Sequence, residues 1–260
     1  VPLVYREALP IEEPKGTVLC LHGYPESSYM WRHLLESVAD AGWQAVAPDL
    51  PGYGDSPYSG DGSWGAHVEA VDRFHREQEL GEVVLVVHDW GGLIGLRWAC
   101  EHPELVRAMV ISNTGFFPDG KWHGMAEAMR TPGQGEALVD GLDRDGFAGM
   151  LRVVSPSLDD RSVDEYWKAY GSEERRRGQL ELYRSGEFSE LEDYDLSAVG
   201  APSLILWGED DPFAPVAGAH RFARELPDSE LVVVEGAKHF VFDDEPAACS
   251  AAVVAFLERV

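Results

Sequence analysis

Residues 83–92 constrain this chain more than any other stretch. Val83-Val84-Leu85-Val86-Val87 is an apolar run of strand length, and His88-Asp89-Trp90-Gly91-Gly92 follows at once. A buried strand that enters a tight turn and then a glycine-softened helix start is the setting of a nucleophile elbow. Asp89 stands at its tip, where such elbows usually carry serine. A carboxylate nucleophile attacks saturated carbon and leaves an alkyl ester on the enzyme. That chemistry points away from ester or peptide hydrolysis and toward carbon–halogen bonds or epoxides.

The elbow sits within an alternating pattern. Thr17–Leu21, Gln44–Ala47, Val83–Val87, Ala108–Ile111, Ser203–Trp207 and Leu231–Val234 read as buried parallel strands. Segments around Trp31–Ala41, Gly65–Leu80, Leu93–His102, Ala217–Leu226 and Pro246–Val260 read as helices, with Pro246 suited to a first turn. Alternation of this kind gives an α/β sandwich with a mostly parallel central sheet flanked by helices. It breaks once. Residues 114–196 carry helical patterning and no clear strand, and Gly and Pro punctuate their start. They are expected to form a helical cap inserted over the C-terminal edge of the sheet, with residues 1–113 and 197–260 as the core domain. That edge is where open α/β sheets bind ligands.

Bulk properties exclude several classes. A net charge of −25 over 260 residues disfavours nucleic acid and anionic membranes as partners. No apolar run approaches the ~20 residues of a membrane span. Val1–Tyr5 shows no basic region followed by an apolar stretch, so no secretory leader is expected there and a cytoplasmic location is. The three cysteines, Cys20, Cys100 and Cys249, are far apart, which argues against a disulfide framework and against a zinc site. They are expected to be free thiols. No metal and no organic cofactor is expected.

Two further loops complete a catalytic constellation. His22-Gly23-Tyr24-Pro25 follows the first apolar strand, where a hydrolase of this architecture supplies one backbone N–H to an oxyanion hole. The N–H of Trp90, next after the elbow residue, would supply the second. His239 lies in a loop after the last predicted strand and is the candidate general base, activating the water that cleaves the ester. Such a base needs an orienting acid. Trp207-Gly208-Glu209-Asp210-Asp211-Pro212 offers one after the strand Ser203–Trp207. The resulting order of nucleophile, acid and histidine follows the hydrolase order Ser…Asp/Glu…His.

Together these residues resemble the α/β-hydrolase superfamily and, within it, the branch of haloalkane dehalogenases and epoxide hydrolases. The resemblance covers almost the whole chain. It is carried by His22 to Arg32 (HGYPESSYMWR), by Pro48 to Ser56 (PDLPGYGDS), by His88-Asp89-Trp90-Gly91-Gly92, and by the Asp211 and His239 loops. It implies the α/β-hydrolase fold and selects Asp211, three residues past Gly208, as the acid. Some relatives place the acid after the preceding strand, but Ser112-Asn113-Thr114 offers no carboxylate there.

The resemblance leaves the leaving group open. In haloalkane dehalogenases the indole N–H of the tryptophan after the nucleophile binds halide, which Trp90 matches. The second donor is less defined: Tyr24 stands where one subgroup has asparagine, and Lys121-Trp122-His123 offers Trp122 and His123 as halide- or substrate-binding residues, with simple packing as the alternative for Trp122. Haloacetate dehalogenases carry an arginine after the nucleophile, and Trp90 in its place disfavours haloacetate. Epoxide hydrolases use two cap tyrosines. Tyr183, in Leu180-Glu181-Leu182-Tyr183-Arg184, matches one; residues 114–150 contain no tyrosine, which leaves Tyr166 or Tyr170 as substitutes. The expected function is dehalogenation of a small apolar substrate by water, with epoxide hydrolysis as the alternative and a non-catalytic small-molecule receptor as a minor one. The sequence carries no indication of oligomeric state.

Overall fold

Five hydrophobic strands lie at the centre of the molecule and place the elbow. The computed structural model describes residues 2–260; Val1, where the expected core domain starts, lies outside the described residues. The strands are β1 (Tyr5–Ala8), β2 (Thr17–Leu21), β3 (Gln44–Pro48), β4 (Val83–His88), β5 (Val106–Ser112), β6 (Ser203–Gly208) and β7 (Ser229–Val234). They form one seven-stranded sheet in the order β1-β3-β2-β4-β5-β6-β7. Every neighbouring pair is parallel except β1 with β3. All residues of β2, β4 and β6 are buried. Strands covered on both faces read as continuous apolar runs, which is why periodicity found them.

Both sheet edges differ from expectation. Strand β1 was not anticipated. It is short, antiparallel and half exposed, and its sequence Tyr-Arg-Glu-Ala reads as loop. The run Leu231–Val234 was expected to be a buried strand, yet β7 is only partly covered along its length. It pairs with β6 alone, so one side of its backbone and part of its side chains face outward.

Helices α1 (Arg32–Asp40), α2 (Trp64–Glu77), α3 (Trp90–Glu101), α9 (Ala217–Glu225), α10 (Val241–Asp244) and α11 (Pro246–Leu257) flank the sheet. Helix α3 is almost wholly buried behind β4. Its start tolerates no side chain at Gly91, where a Cβ would lie 2.2 Å from the Leu21 carbonyl oxygen. The interval between β5 and β6 is helical, with α4 (Gly124–Arg130), α5 (Gln134–Gly141), α6 (Arg144–Val154), α7 (Asp160–Trp167) and α8 (Glu173–Arg184), and it holds no strand among the described residues. Its buried side chains, among them Phe147, Leu151, Val163 and Tyr166, join the same hydrophobic cluster as the sheet.

Helix α8 is fastened to the loop between β3 and α2. Glu181 accepts from Tyr58 Oη at 2.6 Å and from the Gly62 N–H at 2.8 Å, and Ser185 Oγ accepts from the Trp64 N–H at 2.8 Å. Arg175 donates to the carbonyls of Gly54 and Ser56, both at 2.8 Å. These ties hold the inward side of α8 over the sheet's C-terminal edge. No helix of the described residues is long and apolar enough to cross a membrane. All three cysteines are free.

The close approach of α3 to β2 gives a direct test. Gly91→Ala forces a methyl group into backbone, and overpacking of this kind costs about 1–3 kcal/mol. A lowered midpoint in urea denaturation is the expected outcome; an unchanged midpoint would show that the two elements can separate freely.

Candidate active site

The site is assembled from four loops at the C-terminal ends of β2, β4, β6 and β7. Asp89 links β4 to α3 with φ 49° and ψ −123°. Positive φ at a non-glycine residue is costly and persists only where the surroundings enforce it. Here the turn projects the carboxylate off the end of the sheet. Gly23 makes room for it, since a Cβ at that position would lie 2.4 Å from both Asp89 Cβ and Oδ1. The Tyr24 N–H donates to Asp89 Oδ1 at 2.7 Å. Trp90 opens α3, so its N–H has no acceptor within the helix. The helix N-terminus favours negative charge at Asp89.

His239 faces Asp89. Its Nε2 lies 3.5 Å from Asp89 Oδ2, and its Nδ1 lies 2.8 Å from Asp211 Oδ2. Asp211 is held on every side: Asn113 Nδ2 donates to Oδ2 at 2.7 Å, and the N–H groups of Phe213 and Ala214 donate to Oδ1 at 2.7 and 3.0 Å. A carboxylate satisfied in this way stays ionised, fixes the proton on His239 Nδ1 and directs Nε2 toward Asp89. Burial would lower the His239 pKa, but Asp211 and Asp89 outweigh it and hold it well above the ordinary histidine value. Burial would raise both aspartates, and His239 holds each below its ordinary value.

Beside the carboxylate lies a cavity of about 260 Å³, lined by Asp89, Trp90, Trp122, His123, Tyr183 and His239 together with the apolar side chains of Leu93, Phe117, Phe188 and Phe213. Six of the residues singled out from sequence therefore share one space, and Tyr24 and Asp211 adjoin it through Asp89 and His239. Trp122 stacks on Trp90, with ring centroids 5.5 Å apart and planes 24° from parallel. Its Nε1 is buried and has no hydrogen-bond partner. His123 caps α4, its Nδ1 accepting from the Ala126 N–H at 3.4 Å, and its ring packs on Phe213. Burial lowers its pKa and keeps the ring neutral. Tyr183 is buried and meets both Trp90 and Tyr24 edge to face. Burial, with Asp89 nearby, raises its phenol well above the ordinary value.

The two substitute tyrosines are engaged elsewhere. Tyr166 donates to Asp243 Oδ2 at 2.6 Å, and the other oxygen of Asp243 pairs with Arg32. The Tyr170 hydroxyl is bonded to that of Tyr24.

Sequence reasoning missed a second buried layer. Glu26 and His88 are fully buried, and Glu26 Oε2 lies 2.8 Å from His88 Nδ1. The other ring nitrogen, His88 Nε2, lies 2.8 Å from the carbonyl oxygen of His239. Both nitrogens thus face acceptors, which describes a doubly protonated ring. Burial would lower the His88 pKa, but Glu26 raises it above the ordinary value. The pair anchors the backbone of the His239 loop. Asn113 was also missed, except as the absence of an acid; its φ of 43° at the end of β5 is the structural mark of its role. Among the described residues no cluster of His, Cys, Asp or Glu is arranged to hold a metal ion.

The Asp89–His239 pair makes a prediction with a definite sign. Asp89→Asn removes an anion that favours the imidazolium, so the His239 pKa falls. An NMR titration of the His239 ring reads this directly, and an unmoved pKa would show that the two groups do not interact.

Comparison with known proteins bears on the same geometry. A family model described as alpha/beta hydrolase fold matches residues 16–246. A haloalkane dehalogenase of Sphingobium indicum is 33% identical over 280 residues, covering 96% of this chain and 91% of its own. A cis-3-alkyl-4-alkyloxetan-2-one decarboxylase of Xanthomonas campestris pv. campestris is 29% identical, covering 93% and 88%. Among solved structures, an epoxide hydrolase of Vigna radiata superposes with a TM-score of 0.80 at 26% identity, covering 98% of this chain and 94% of its own.

Proposed function

The chain belongs to the alpha/beta hydrolase fold family, in its haloalkane dehalogenase branch, and on that premise we propose that it cleaves a carbon–halogen bond of a small apolar substrate, giving an alcohol and a halide ion. The observation that carries this reading is the Trp122 indole. A buried N–H without an acceptor costs about 1–3 kcal/mol. Trp122 lines the cavity that holds Asp89 and stacks on Trp90, and its buried Nε1, like those of Trp31 and Trp98, has no hydrogen-bond partner in the protein. Two indoles beside a carboxylate nucleophile suit a halide leaving group. A cavity of about 260 Å³ is smaller than the ~300–1,000 Å³ typical of drug-sized ligands, so the substrate is small. Residues 114–196 act as the cap that closes over it.

The reaction runs in two displacements. Asp89 Oδ1 rests on the Tyr24 N–H, which leaves Oδ2 to attack the substrate carbon. The carbon–halogen bond breaks, the halide takes the electron pair, and Trp90 and Trp122 receive it. Asp89 is now an ester and has lost its charge. One of the two anions that raise the His239 pKa is gone, so the ring can release its extra proton and serve as base. Water gives a proton to His239 Nε2 and attacks Asp89 Cγ. The tetrahedral oxyanion forms on Oδ1, where the Tyr24 N–H already points and the Trp90 N–H completes the hole. Collapse expels the alcohol, which takes its proton from His239; the carboxylic acid left on Asp89 then passes its own proton to His239, which restores the carboxylate–imidazolium pair, so one proton is released per halide.

One observation favours a second reading. Tyr183 lines the same cavity, and its hydroxyl could donate to an opening epoxide oxygen, the product then being a diol. Only one tyrosine is placed there, since Tyr170 pairs with Tyr24 and Tyr166 with Asp243.

Parallel assays separate the readings. Purified protein should release halide from bromo- and chloroalkanes, and Asp89→Asn should abolish it. His239→Phe should stop at the ester, detected by intact mass as an added alkyl group with activity down at least a thousandfold. Diol formation from epoxides, lost in Tyr183→Phe and unaccompanied by halide release, would overturn the dehalogenase reading.

A further inference from the structure

The Trp122 indole is backed by a cation. The Arg130 guanidinium carbon lies 4.9 Å from the centre of the Trp122 ring. Trp90 covers another part of that ring, and Phe188 packs at 4.4 Å. Arg130 Nη1 donates to the carbonyls of Tyr183 and, at 2.7 Å, Gly186, so the guanidinium is pinned to the C-terminal end of α8. Its one carboxylate partner is Glu187. The Glu187 side chain is 59% exposed, whereas that of Arg130 is 15% exposed. Water screens the carboxylate far more than the cation that faces the indole.

From this arrangement we propose that Arg130 is a positioning residue for anion capture: it acts through Trp122, making the buried indole N–H a stronger donor to halide. The inference rests on the dehalogenase reading above. A cation over an aromatic face draws electron density toward itself, which leaves the N–H edge more positive. Arg130 also bonds the Tyr183 carbonyl, so one side chain sets the position of two cavity walls.

A nearby pair serves as an internal control. Arg97 lies 5.5 Å over Trp64, which meets Trp90 edge to face. The Trp64 Nε1 already donates to the Leu93 carbonyl at 3.1 Å, so it has no hydrogen left for an anion. A cation behind Trp64 should not affect halide binding.

The test is titration of the full chain with sodium bromide at constant ionic strength, read by quenching of tryptophan fluorescence. Arg130→Met should weaken bromide binding roughly three- to thirtyfold, the span of a partly desolvated cation–π contact. Arg130→Lys, which keeps the charge but loses the fork, should fall between it and the parent. Arg97→Met should bind as the parent does. In a Trp122→Phe background, which keeps an aromatic face but removes the N–H, Arg130→Met should have no further effect. Equal bromide affinity in the parent and both Arg130 variants, each shown folded by circular dichroism, would overturn the proposal while leaving the dehalogenase reading intact. So would a loss of affinity that persists unchanged in the Trp122→Phe background. Absence of bromide binding in the parent itself would overturn both.

Discussion

Everything in the site depends on one carboxylate held at a backbone position that few residues accept. Asp89 sits at positive φ between a buried strand and a buried helix. That geometry survives because β4 is locked between β2 and β5 and because Gly91 lets α3 approach the Leu21 carbonyl. Local strain of order 1–3 kcal/mol is thereby offset by the packing of the sheet. The return is placement. The carboxylate stands clear of the sheet edge, with an N–H on one oxygen and a histidine beside the other.

The groups around it form two layers of alternating charge. Asp89 faces His239, which is held by Asp211. Behind them Glu26 faces His88, and His88 reaches the His239 carbonyl. Buried pairs of this sort contribute little net stability, because desolvation opposes the attraction, but breaking one leaves an uncompensated charge. Their contribution here is geometric. The His239 loop is fixed by its side chain from one direction and by its backbone from another.

Legibility in the sequence followed burial. Strands β2, β4 and β6 could be read because double-sided cover leaves unbroken apolar runs. Strand β1 could not, since four residues at an exposed edge carry no such run. Strand β7 misled in the opposite sense: Leu231–Val234 is apolar, yet it lies at the other edge. The elbow and the Asp211 and His239 loops could be found because each follows a strand. Glu26 gave no signal, because a glutamate in a loop normally belongs to solvent and its partner His88 is 62 positions away. Arg130 was hidden for the same reason. Nothing in the local pattern of Gly124–Arg130 says which ring its last side chain will cover.

The acidity of the whole chain sharpens the meaning of its few inward-facing positive groups. At a net charge of −25, the surrounding field opposes the entry or retention of any anion. A site that releases one must counter that field locally. On the dehalogenase reading proposed above, it would do so with short-range elements: the N-terminus of α3, the indole N–H of Trp122 and the guanidinium behind that ring. These act within a few ångströms and are screened little by the apolar walls, whereas most of the carboxylates lie in water and are screened beyond ~10 Å. A halide formed at Asp89 would therefore be held while it is buried and repelled once it reaches the mouth of the cavity. On that reading an acidic surface and the donors beside Asp89 would serve one reaction, the donors favouring departure from carbon and the surface favouring departure from the protein.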